Sequence, residues 1–184
     1  MLNHTQSLDV LHKLRKHSGI KTTHGLSNEV IESFLAKGSA LAVAIEQAHD
    51  VFQSLSDNER EMCSLPESEL IHKLQDGILN FYPSTAVLPF VPLAAQGPWM
   101  VTTHGAVVYD TGGYGMLGLG HNPDKVLAAM SEECVMANVM SASFWQYRFL
   151  EMLRARIGFT RPERECPYEK FVCMNSGSEA MSVA

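Results

Sequence analysis

Phe171-Val172-Cys173-Met174-Asn175-Ser176-Gly177-Ser178-Glu179-Ala180 is the stretch on which the reading of this chain turns. Its apolar run, 171–174, reads as a short buried strand. The small-residue segment 180–184 reads as the first turns of a helix. A strand that feeds a glycine-and-hydroxyl turn at a helix start can hold an anion, because the first backbone N–H groups of a helix lack internal partners and the helix dipole favours negative charge there. Gly177 would let a ligand approach the backbone, and Ser176 and Ser178 offer hydroxyl donors. The same residues satisfy a simpler pattern. Ser176 with Glu179 matches S-x-x-E, a capping box that consumes part of the donor set. The residues alone admit both readings. The turn is neither a nucleophile elbow, since glycine does not flank either serine on both sides, nor a Walker loop, which needs Gly-Lys-Ser/Thr.

Working outward, residues 99–110 contain two β-prone runs, Trp99-Met100-Val101-Thr102 and Ala106-Val107-Val108-Tyr109. They flank Thr103-His104-Gly105 and predict a hairpin. Gly120-His121-Asn122-Pro123 predicts a helix start with Asn122 as N-cap and Pro123 at the first position, followed by an apolar stripe of Val126, Ala129 and Met130. Between these lies a literal G-x-G-x-x-G, residues 113–118. A dinucleotide fingerprint needs its helix to begin within the glycines, whereas the helix signal here comes later, so glycine-rich turn packing accounts better for the motif. Three prolines in 83–92 predict an extended connector before the hairpin. After it, Phe149, Leu150, Leu153 and Ile157 are expected to form the inward face of a helix stopped by Gly158.

The first 80 residues read as helices. Leu8, Leu11 and Leu14 share helical spacing, Ser27-Asn28 and Gly38-Ser39 predict two further starts, and Ser56 with Glu59 forms another capping box. Pro66 is expected at a first helical position, and Gly77 is expected to end that helix. With 184 residues, 46% of them apolar, the chain can bury a sizeable core. A net charge of −6 without a dense Lys/Arg stripe argues against a nucleic-acid partner. The cysteines at 63, 134, 166 and 173 show no C-x-x-C spacing and the eight histidines no metal-ligand pattern, so no metal site is expected. With neither a signal peptide nor an apolar run long enough to span a bilayer, the expectation is a soluble, cytoplasmic protein without membrane contact.

Three segments together resemble the class III aminotransferases, which are fold-type-I pyridoxal-phosphate enzymes. Asn175-Ser176-Gly177-Ser178-Glu179-Ala180 is similar to the family's phosphate-binding turn. Gly105-Ala106-Val107-Val108-Tyr109-Asp110 resembles its "G…YLD" hairpin, and Gly118-Leu119-Gly120-His121-Asn122-Pro123 its "GH.HP.V..A" segment. The likeness covers about residues 95–184, in the family's order. It implies an α/β fold: a helical N-terminal segment (1–80), a small α+β region with the hairpin (81–160), and the beginning of a large fold-type-I sheet domain (161–184). It implies that Gly177 and Ser178 hold the phosphate of pyridoxal 5'-phosphate through backbone N–H groups and a hydroxyl, with Ser176 shaping the turn.

The resemblance further implies an amino donor, a keto-acid acceptor and a homodimer with the cofactor near the subunit interface. Tyr114, Met116, Phe144 and Trp145 are then candidates for a substrate pocket, beside the plainer reading that they pack in the core. In the family the Schiff-base lysine and the aspartate that pairs with the pyridine nitrogen lie well beyond the phosphate turn. The seven lysines here, at 13, 16, 21, 37, 73, 125 and 170, all precede it, so no catalytic residue is assigned. The expectation is a part of a larger enzyme, inactive alone. An aminomutase, decarboxylase or racemase on the same fold, or a non-catalytic binding or packing module, stays open.

Overall fold

A computed structural model of the chain describes residues 2–79, 83–111, 118–133 and 141–184. They belong to two compact units, Met1–Glu132 and Glu133–Ala184. The first opens with α1 (His4–His17), α2 (Asn28–Leu35), α3 (Ser39–Ser54), α4 (Asp57–Met62) and α5 (Glu67–Gln75). Local chemistry sets most of their ends. Asn3 and Gln6 close a capping box on α1, Ser27 caps α2, and Ser56 with Glu59 caps α4 as its spacing predicts. Gly77, at φ +81°, follows the last turn of α5 in the left-handed conformation that ends helices.

α3 packs on one antiparallel sheet in the order β1 (Pro92–Gln96), β2 (Trp99–Thr102), β3 (Val107–Tyr109), and α1 and α2 lie against α3. β2 and β3 are the expected hairpin, paired from Trp99 opposite Tyr109 to Val101 opposite Val107. β1 is a correction to the proline-rich connector. Pro92 stands at the first position of an edge strand, where its missing N–H removes little from the ladder, and the pairing slips between Pro92 and Ala94.

One apolar core joins both halves of this unit. Leu11 and Leu14 of α1, Ile31 of α2, and Leu41 and Ile45 of α3 are buried with Val101 and Val107 of the hairpin. The Trp99 ring meets Phe34 and Tyr109 edge-on, with centroids 4.8 and 4.9 Å apart. Glu67 and His104 are among the polar residues that are fully buried in this unit. Glu67 Oε2 accepts from Thr22 N–H at 2.8 Å, Thr22 Oγ1 at 2.9 Å and Thr23 N–H at 2.7 Å, which ties α5 to the strap before α2. His104 Nε2–H donates to the Leu65 carbonyl at 2.9 Å, and its Nδ1 accepts from Thr103 Oγ1 at 3.0 Å. Because a carbonyl only accepts, this pairing fixes the imidazole tautomer.

α6 (Asp124–Met130) begins one residue later than expected. Pro123 is the cap, while Asn122 adopts φ +48° and spends its side chain on the sheet. None of Val126, Ala129 and Met130 is buried, so their stripe has no cover among the described residues.

In the second unit, α7 (Phe144–Arg156) is capped by Ser143 and followed by Gly158 at φ +86°. The inward face expected of α7 is formed in part: Leu150, Leu153 and Ile157 are half-buried, whereas Phe149 is 49% exposed and no residue of the helix is fully buried. A unit this short offers little apolar surface to pack against. The strand expected over 171–174 is absent. That segment has no partner strand among the described residues, and an extended backbone needs a neighbour to form a ladder. The described residues therefore form a mixed helical and antiparallel, α+β arrangement. No described helix is long and apolar enough to cross a membrane.

Candidate functional site

The turn at 175–180 opens α8 (Gly177–Val183). Ser176 is its N-cap, in extended backbone at φ −144°, ψ 156°. Its hydroxyl accepts from Glu179 N–H at 3.2 Å, and Glu179 Oε2 accepts from Ser176 N–H at 3.1 Å, so the capping box is formed. Ser176 thus has both of its polar groups engaged in shaping the turn. The N–H groups of Gly177 and Ser178, and the Ser178 hydroxyl, have no partner among the described residues. All three belong to solvent-exposed residues. A Cβ added at Gly177 would meet nothing within 4 Å, so the protein itself does not require glycine there.

Those two N–H groups and the hydroxyl are suited to phosphate oxygens. Glu179 works against this: its carboxylate lies at the same helix start and would repel an anion. The donor set fits a phosphate at Gly177 and Ser178, and leaves Ser176 a structural role.

The two upstream segments of the resemblance meet in space. His121 N–H donates to Gly97 O at 2.7 Å and Gly97 N–H to His121 O at 2.9 Å, a single antiparallel bridge on the β1–β2 turn. His121 Nε2–H donates to Asp110 Oδ2 at 3.0 Å, with both side chains about one-fifth exposed. Asn122 Nδ2 donates to Ala95 O at 2.8 Å, and Gln96 Nε2 returns a bond to Asn122 O at 3.1 Å. Gly120 is needed here. At φ +77° its missing Cβ would lie 2.8 Å from the backbone of Gly97. The Gly-His-Asn-Pro segment therefore docks through glycine backbones and one carboxylate–imidazole pair. The Asp110–His121 pair was not singled out from sequence, since the two residues are separated by the glycine-rich stretch.

Of the other candidates, Tyr114 and Met116, with the rest of 112–117, lie outside the described residues. Phe144 and Trp145 occupy the first turn of α7, 81% and 47% exposed, with the Arg148 guanidinium 5.1 Å from the Trp145 ring centroid. Among the described residues no hydrogen bond or ring contact links them to residues 176–178. Cys63 is buried, and that burial, reinforced by the Glu59 carboxylate, pushes its thiol up, away from the reactive thiolate. No cluster of metal-ligating side chains occurs among the described residues.

No model of a known protein family matches the chain, and neither a curated protein nor a solved structure gives a match.

Proposed function

We propose that this chain is the N-terminal, phosphate-anchoring part of a pyridoxal-phosphate-dependent aminotransferase of fold type I. The observation that carries the reading is the order of three segments: the hairpin ending in Asp110, the Gly-His-Asn-Pro helix start, and the Asn-Ser-Gly-Ser-Glu-Ala turn. The direct bonding of the first two through Asp110 and His121 supports it, because segments that act together in one fold should meet in space. Gly177 and Ser178 would hold the phosphate, and Ser176 with Glu179 would fix the start of the helix that presents them. When bound, the cofactor supplies an electron sink for chemistry at the carbon bearing the amino group. The chain's own residues bind and orient its phosphate, and the Schiff-base lysine would come from outside residues 1–184. An amine or amino acid and a keto acid are the corresponding substrates, in a cytoplasmic homodimer.

The capping box favours a second reading, in which the turn only starts a helix and the chain is a non-catalytic module. Equilibrium dialysis with pyridoxine 5'-phosphate separates the two. This compound keeps the phosphate but lacks the aldehyde, so surface lysines cannot trap it. Saturable binding, at least tenfold tighter than that of unphosphorylated pyridoxine, is expected. Equal retention of the two compounds, or no saturable binding, would sink the cofactor assignment.

A further inference from the structure

We propose that the cleft between the end of α3, α4, α5 and the start of β1 binds an apolar primary ammonium ion, with its hydrocarbon chain in the cleft and its charge on Glu59. This site lies wholly in the first unit and does not rest on the cofactor reading. The cleft encloses about 250 Å³. Its walls are side chains of four elements, among them Val51, Leu55, Leu70, Leu74 and Leu93. A second apolar hollow of about 300 Å³ adjoins it, sharing Leu74, Val91 and Pro92, and has no charged lining residue. An open, mostly apolar cleft of this kind is suited to the hydrocarbon part of a small ligand.

The polar groups select the charge of the occupant. The Thr103 hydroxyl is committed to His104, and the Cys63 thiol is kept neutral by burial. Glu59 is the one charged side chain in the lining among the described residues. Its Oε2 accepts from Ser56 N–H at 2.9 Å and from Ser56 Oγ at 2.6 Å, while Oε1 has no partner among the described residues. Those Ser56 bonds hold the Glu59 carboxyl below its usual range, so it is ionised near neutral pH. Arg60, the cation next to it on α4, is engaged with the Leu55 carbonyl at 2.8 Å and lies over the Phe52 ring. An apolar hollow ending at a half-used carboxylate is complementary to an ammonium on a hydrocarbon chain. A fatty acid would bring like charge to Glu59.

Titration calorimetry of the full chain with butyl-, hexyl- and octylammonium tests this. Affinity should rise about fourfold per methylene until the cleft is filled. Hexanoate should bind at least tenfold more weakly than hexylammonium. Glu59→Gln, which preserves the capping box because Gln serves at that position, should remove the preference for hexylammonium over hexanol and leave the chain-length dependence. Leu74→Lys, at a half-exposed position on α5, should abolish binding of all three amines without unfolding the chain. Affinity independent of chain length, equal binding of hexanoate, or an unchanged preference in Glu59→Gln would overturn the proposal. So would sedimentation showing that the cleft is closed by a second copy of the chain.

Discussion

Gly177→Pro separates a phosphate anchor from a helix cap with a single atom change in the donor set. Gly177 is the first residue of α8, and its N–H has no acceptor in the chain among the described residues. Proline is favoured at that position, because its fixed φ suits the first turn and its lost N–H bonds nothing inside the helix. The residue before it must be extended, and Ser176 already is, at φ −144° and ψ 156°. No neighbour lies within 4 Å of a new Cβ. The substitution should therefore leave the capping box and the helix content unchanged by circular dichroism. A backbone donor to a charged phosphate is worth about 1.5–3 kcal/mol, so losing it should weaken pyridoxine 5'-phosphate binding roughly 10- to 150-fold. Gly177→Ala keeps the N–H and serves as the control. If the alanine variant loses affinity as well, the ligand is sensing the Cβ, and close approach to the backbone is the reason for glycine. A proline variant that binds as well as the parent refutes the role of this N–H, and the capping box then accounts for the turn unaided.

Glu67→Ala should destabilise the first unit by about 3–5 kcal/mol, since it strands three donors on Thr22 and Thr23, whereas Glu67→Gln, which keeps an acceptor, should cost about 1–2 kcal/mol. Urea titrations at constant m-value measure both, and an alanine variant within 1 kcal/mol of the parent would contradict the bonding described. Gly120→Ala should cost about 1–3 kcal/mol, because a side chain at φ +77° is strained and meets Gly97; the same change at Gly38, where nothing is close, provides the comparison in a thermal melt. The Glu59 carboxyl is held below its usual range by the Ser56 hydroxyl first and the Ser56 N–H second. Its contribution is therefore present above the unfolded-state pKa and lost as pH falls through the lower folded-state value. Glu59→Gln should flatten that part of the acid limb of the stability–pH curve, and an unchanged acid limb would show that the capping box is not populated.

Features governed by neighbours in sequence were legible from the residues. The Ser27, Ser56 and Ser176 caps, the Gly77 and Gly158 stops and the β2–β3 hairpin each depend on a few adjacent residues with one favourable geometry. What escaped depends on residues far apart. Pro92 argues against a strand until it is known to lie at the start of an edge. Asn122 reads as a cap, yet its amide goes to Ala95, 27 residues away. Glu67 and His104 carry no local sign of burial, because their partners are Thr22 and Thr23 in one case and Leu65 in the other. The run 171–174 has strand composition, but composition supplies no adjacent strand. At the candidate site the capping box was legible and the anion-binding alternative remained level with it, since one serine–glutamate spacing serves both.

The shared core of the N-terminal helices and the hairpin has a consequence for synthesis. Leu11 and Leu14 share one buried core with Val101 and Val107, and Arg15 Nε donates to the carbonyl of Gly105, 90 residues downstream, at 2.9 Å. At translation rates of about 5–20 residues per second, the apolar face of α1 would leave the ribosome roughly 5–20 s before the hairpin that completes this core. During that interval α1 has α2 and α3 to pack against, while the sheet side of the core is still missing. The core that joins the two halves of this unit can therefore close only after residue 107 has emerged.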